Sequence, residues 1–142
     1  MRNKRTHDTL VIEGGSLRCA FTAGVLDTFS VLRYNRFKRY YAVSAGTMAL
    51  PSFLSGQRKH FIDVACHMVE DGEFIRFSDA WKEEGLMNLA HLFDHVRRHR
   101  PLDIKGAAAA ARGKEVRMVT TDFETGCPLY LKPTVDDWLR IM

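Results

Sequence analysis

Two strand-to-helix turns hold the residues best suited to chemistry. The first, Glu13-Gly14-Gly15-Ser16-Leu17-Arg18, follows the apolar run Thr9-Leu10-Val11-Ile12; the second, Val43-Ser44-Ala45-Gly46, follows Tyr40-Tyr41-Ala42-Val43. A serine hydroxyl is a poor nucleophile until a base takes its proton and fixed donors receive the negative oxygen of the tetrahedral intermediate. A sharp turn from strand into helix serves that chemistry, because it forces the side chain outward and leaves free N–H groups at the helix N-terminus. Ser44 is the candidate nucleophile on these grounds, with Ala42 and Gly46 as the small flanking positions of its elbow. Gly14, Gly15 and Ser16 form a candidate oxyanion turn, and Arg18 is either an anion contact or the first residue of the next helix. Together the two turns propose acyl transfer. The usual elbow reads Gly-x-Ser-x-Gly, so Ala42 adds one methyl, which the turn accepts if position 42 needs no positive φ.

Other chemistries fit less well. Neither Gly-x-Gly-x-x-Gly nor Gly-Lys-[Ser/Thr] is present, which weakens a nucleotide reading of the glycine pair. His91, His95 and His99 would form one helical stripe, a spacing that can bind metal. No glutamate accompanies them as in His-Glu-x-x-His, and Arg97, Arg98 and Arg100 would repel a cation. No metal or cofactor is therefore expected. Asp71-Gly72 is the only Asp-Gly pair in the chain, but it falls at a predicted helix end and is not the expected base. Cys19, Cys66 and Cys127 are odd in number and widely spaced, giving neither a disulfide framework nor a metal pattern. Cys19 reads as a small core residue rather than a reactive thiol.

The elements that must position these turns alternate. Thr9–Ile12 reads as a buried strand. The spacing of Phe21, Val25, Leu26, Phe29 and Leu32 predicts a helix from about Arg18 to Leu32 that packs this face on the sheet. A second strand over 40–43 leads through Ser44 into a helix of small residues in which Pro51 sits early or makes a kink. Further helices are expected over Arg58–Glu70, Met87–Arg98 and Leu102–Ala111, with turns and short helix around Phe74, Phe77 and Trp81. Val116–Asp122 reads as a strand, Thr125-Gly126-Cys127-Pro128 as a turn, and Leu129–Leu131 as a strand pairing back antiparallel. Thr134 is a fair N-cap for a last helix opening on Asp136 and Asp137. Strand, helix, strand, helix argues for parallel strands with right-handed crossovers.

At 142 residues, with 46% apolar and 27% charged side chains, the chain suits one globular domain. The basic opening Met1-Arg2-Asn3-Lys4-Arg5 lacks the apolar core of a signal peptide, and no stretch reaches the roughly 18 apolar residues of a membrane span. A cytoplasmic location is expected, with peripheral contact at the inner membrane surface compatible with the net charge of +4. Basic residues alone give nonspecific attraction, and no nucleic-acid partner is expected. Oligomeric state is left open.

The string Leu10–Arg18, followed by Phe21-Thr22-Ala23-Gly24-Val25-Leu26-Asp27 and then Val43-Ser44-Ala45-Gly46, resembles the bacterial patatin-like phospholipases. Thr120-Thr121-Asp122-Phe123-Glu124-Thr125-Gly126 is similar to the same family, so the resemblance covers most of the chain. It implies an α/β fold, a three-layer α/β/α domain with a mainly parallel sheet, of which residues 1–142 would be the N-terminal portion, incomplete at the C-terminus. It also implies a lipid acyl hydrolase that uses a serine–aspartate dyad on lipid or phospholipid acyl esters. Ser44 would be the nucleophile and Gly14, Gly15 and Ser16 the oxyanion turn, with Arg18 adjoining. Four departures stand out. Ser16 and Cys19 occupy positions where the family usually has glycine, Ala42 replaces the first elbow glycine, and the Asp-Gly-[Gly/Ala] motif that holds the base is missing. The first three are tolerable on size. The fourth is chemical, so little or no hydrolase activity is expected of the isolated chain. A non-catalytic lipid- or membrane-surface-binding protein, and a remnant of a disrupted gene, are the alternative readings.

Overall fold

The computed structural model describes residues 8–76, 85–136 and 138–141. Phe77, Trp81, Asp137 and the basic opening Met1–Arg5 lie outside the described residues. The element order is β1 (Thr9–Ile12), a 3-10 turn (Ser16–Arg18), α1 (Cys19–Val31), β2 (Arg39–Val43), α2 (Gly46–Ser55), α3 (His60–Glu70), α4 (Leu89–His99), α5 (Ile104–Ala110), β3 (Glu115–Thr121), β4 (Pro128–Leu131) and α6 (Trp138–Ile141).

The four strands form one mixed sheet in the order β1-β2-β3-β4. β1 runs parallel to β2 with Ile12 opposite Ala42, and β2 runs parallel to β3 with Ala42 opposite Met118. β4 returns antiparallel on β3 with Val119 opposite Tyr130, as the Thr125–Pro128 turn requires. The chain is therefore α/β. Because β1, β2 and β3 advance in one direction, right-handed crossovers place both connecting helical segments on the same face. Side chains of that face, Ile12, Tyr40, Ala42, Val116 and Met118, are buried in one core with Leu26, Leu50, Phe53 and Ala107. On the other face Val11 is 68% exposed, so β1, expected to be buried on both faces, is buried only at Ile12.

α2 is the central helix. Every residue from Gly46 to Leu54 is buried, as expected of a helix apolar or small all round. Pro51 lies inside it rather than in the opening turn, and the Ser55 hydroxyl donates to the Pro51 carbonyl at 2.8 Å. α4 begins at Leu89 because the Asn88 side chain caps it, accepting from His91 N–H at 3.0 Å. Asp103 caps α5 in the same way, accepting from Gly106 N–H at 2.8 Å.

Two further expectations are corrected. α1 does not pack through the stripe that includes Phe21, Val25 and Leu32: Phe21 is 79% exposed, and Val25 and Leu32 are also exposed. It buries Cys19, Ala23 and Leu26 instead, with Phe29 against the edge of the core. The two small side chains on this stripe let α1 come close to α2, which larger residues at 19 and 23 would prevent. The strand expected to reach Asp122 ends at Thr121, leaving Asp122 in the turn.

Candidate active site

β2 ends at Val43 and the next residue, Ser44, has φ +48° before α2 begins at Gly46. A positive φ on a non-glycine residue costs on the order of 1–3 kcal/mol and persists only where the surroundings enforce it. Here Thr47 helps enforce it, since its backbone N–H and its hydroxyl both donate to the Ser44 carbonyl, at 2.8 and 2.5 Å. Ala42 is fully buried within β2, and φ at position 42 is not positive, so the missing elbow glycine is not needed. Gly46 is needed for a different reason. A β-carbon there would lie 2.7 Å from the Glu13 carbonyl oxygen and 2.8 Å from that of Ile12, so only glycine lets α2 start this close to β1.

The end of β1 meets Ser44 directly. A β-carbon on Gly14 would fall 2.8 Å from the Ser44 β-carbon and 3.5 Å from Ser44 Oγ. Gly15 has φ +140°, and the Arg18 guanidinium packs over it, with Nε and Nη2 each 3.2 Å from where a β-carbon would be. Arg18 thus precedes α1 and covers the turn. Ser16 also has a positive φ, +50°, which explains why glycine would be at ease there, and its hydroxyl donates to Met87 Sδ at 3.3 Å. Among the described residues, the N–H groups of Gly14, Gly15, Ala45 and Gly46 donate to no backbone carbonyl. These four N–H groups belong to the two turns that meet at Ser44.

Cys19 stands just beyond this turn, buried, with its thiol 3.5 Å from the Glu13 carbonyl oxygen. Burial, and then the Glu13 charge, push that thiol above its ordinary range, which suits a core residue and not a nucleophile.

Ser44 opens on an apolar cavity of about 160 Å³ between α2, α3 and α4. Met48, Val64, Met68, Phe74, Leu92 and Phe93 supply most of its wall, and Ser16, Leu17 and Met87 lie at the oxyanion side. No aspartate, glutamate or histidine lines it among the described residues, and Ser44 Oγ has no hydrogen-bond partner there. Asp122, at the same end of the sheet by topology, is committed elsewhere. Its Oδ1 accepts from Thr125 N–H at 2.8 Å and from the Thr125 hydroxyl at 2.6 Å, and these bonds hold its carboxyl below the usual range. Asp71 lies 2.6 Å from His91 Nε2. Among the described residues no group of three or more His, Cys, Asp or Glu side chains could hold a metal ion, and no helix is long and apolar enough to cross a membrane.

The sequence-predicted residues Gly14, Gly15, Ser16, Arg18, Ser44 and Gly46 thus come together at one end of the sheet. Thr47 was not among them; a threonine three residues after an elbow serine, able to bond back to its carbonyl, is the signal that marks it. The cavity wall was hidden in the amphipathic patterns of α3 and α4, which mark buried faces but not the space between them.

No family model and no solved structure matches the chain. It is 31% identical over 134 residues to an uncharacterized protein, YjjU, of Escherichia coli (strain K12). The match covers 94% of this chain and 38% of that protein, so the chain spans less than two fifths of its relative's length.

Proposed function

We propose that this chain carries the nucleophile and oxyanion turn of a patatin-like serine hydrolase acting on lipid or phospholipid acyl esters. The observation that carries the reading is Ser44, held at φ +48° against Gly14 at the mouth of an apolar cavity. Ser44 Oγ attacks the acyl carbonyl carbon while a base takes its proton. The N–H groups of Gly14, Gly15 and Ala45 receive the oxyanion, and the acyl chain lies along Met48, Val64, Met68 and Leu92. The alcohol then leaves with the proton, and water cleaves the acyl-serine by the reverse sequence.

The sequence lacks the Asp-Gly-[Gly/Ala] motif that holds the family's base, and this gives the second part of the proposal. The base is an aspartate in polypeptide outside these 142 residues, which also supplies the remaining layer of a three-layer, mainly parallel domain. The open side of β1 and the exposed Val11 leave room for that continuation. Its substrate places the protein at the cytoplasmic membrane surface, in peripheral contact.

The test is hydrolysis of medium-chain p-nitrophenyl esters and of phospholipid vesicles by the full native polypeptide, with Ser44→Ala beside it. Residues 1–142 alone should turn over esters at least about a thousandfold more slowly, as expected when a base is missing. Ser44-dependent turnover by residues 1–142 at full rate would refute an external base. The bare cavity wall also favours a second reading, acyl-chain binding without hydrolysis. It predicts fatty-acid binding that Ser44→Ala leaves unchanged and no turnover by any form of the protein.

A further inference from the structure

Four histidines and one aspartate meet between α3 and α4. The His67 ring of α3 stacks on His95 of α4, with centroids 4.0 Å apart and planes 23° from parallel. His99 follows, 5.2 Å from His95. Asp71 Oδ2 lies 2.6 Å from His91 Nε2 and 3.6 Å from His67 Nε2. Neighbouring positions on the same two helices, Val64, Ala65 and Met68 on α3 and Leu89, Leu92 and Phe93 on α4, are walls of the cavity beside Ser44. Any change in how the two helices sit is therefore a change in the cavity.

We propose that the histidine stack is a proton-operated latch on this cavity, closed when the rings are neutral and released by mild acidification. Neutral imidazoles stack favourably, whereas imidazolium rings at such separations repel. Among the described residues Asp71 is the carboxylate at this cluster, against His91 and His67. Of the other acids on the two helices, Asp63 is paired with Arg100, Asp94 is paired with Arg97 and Arg98, and Glu70 is exposed. The groups acting on His95 are His67 and Asp71 from α3 and His91 and His99 from its own helix. Burial and then the three neighbouring histidines hold it below the usual histidine range, against the opposing pull of Asp71.

The direction follows from linkage. A histidine whose folded value is depressed takes up its proton more readily once the helices separate, so the closed form is favoured above about pH 6.5 and loses ground as the pH falls below it. His60, at the start of α3, is a second histidine held below its ordinary range. It is buried, with Nε2 2.7 Å from the Arg100 carbonyl oxygen and Nδ1 3.1 Å from the Ser52 hydroxyl, and burial lowers it too. Its partners are Ser52 and the Arg100 carbonyl and not the histidine stack, so its contribution and that of His95 separate by position.

The latch does not depend on what Ser44 does, and its test reads no hydrolysis. Amide hydrogen exchange of the native chain is compared at about pH 7.5 and about pH 5.5, corrected for the intrinsic pH dependence of exchange. Amides of residues 66–71 and 91–96 should open at least about tenfold more readily at the lower pH. The double variant His67→Phe/His95→Phe keeps a ring stack without a titrating group and should lose that difference, while amides around His60 keep theirs. If the double variant does not fold, His95→Gln replaces it and must reduce the difference. Equal protection of the wild type at both pH values, or an undiminished difference in the variant, would overturn the proposal.

Discussion

Gly14 and Ser44 touch so closely that a single methyl on Gly14 would sit 2.8 Å from the Ser44 β-carbon. Such a contact cannot be accommodated without moving one of the two turns, and the same methyl would lie 3.5 Å from Ser44 Oγ. Gly14→Ala should therefore act on Ser44 geometry before it acts on the fold. In the full native polypeptide we expect ester turnover at least about tenfold lower, since removing one oxyanion donor from comparable sites costs 10²–10³. Steady-state kinetics, with circular dichroism to confirm the fold, measure this.

Gly46→Ala should instead act on stability. Its methyl would meet two backbone carbonyls, of Glu13 and Ile12, neither of which can rotate away. Overpacking of this kind costs about 1–3 kcal/mol, or about 3–10 °C in Tm for a domain of this size. Differential scanning calorimetry gives the answer directly.

The strain at Ser44 and Ser16 makes the opposite prediction. Both have φ near +50°, which glycine adopts freely. Ser44→Gly and Ser16→Gly should each raise stability, by about 1 kcal/mol after the entropy cost of glycine is set against the relieved strain. Ser16→Gly gives up its bond to Met87, so its gain should be the smaller. Chemical denaturation of the two variants tests this.

Much of the arrangement was legible in the sequence because each part obeys a local rule. Gly14-Gly15 and Ser44-Ala45-Gly46 mark turns that need small residues, and the alternation of strands and helices sets the parallel order of β1, β2 and β3. What was not legible depends on contacts between distant segments. The buried face of α1 was misread because Phe21, Val25 and Leu32 outweigh Cys19 and Ala23 in hydrophobicity, while packing against α2 selects for size. His67 was not grouped with His91, His95 and His99, since periodicity within one helix does not show which face of another helix meets it. Ala42 became acceptable only once its φ was known.

His60 gives a pH prediction. It is buried between Ser52 and the Arg100 carbonyl, and burial depresses it. The folded state therefore loses stability as the pH falls below about 6.5, where the unfolded chain takes up the proton first. His60→Leu should flatten this part of the pH profile. It should also lower stability at pH 7.5 by about 1–3 kcal/mol, because the Arg100 carbonyl loses its donor. Urea denaturation across this pH range checks both effects.

Asp122 contributes with the other sign. Its bonds to Thr125 lower its carboxyl, so the stability it adds is present above about pH 4 and fades as the pH falls through the folded value. Asp122→Ala should loosen the β3–β4 turn, with faster amide exchange at Thr125, and should leave the Ser44 elbow unchanged.

The claim that Ser44 is the nucleophile is tested most directly by intact-protein and peptide mass spectrometry of the full native polypeptide after exposure to an octyl fluorophosphonate. The account predicts one adduct, on Ser44, lost in Ser44→Ala and slowed in Gly14→Ala. No adduct on Ser44, or labelling that survives Ser44→Ala unchanged, would contradict it.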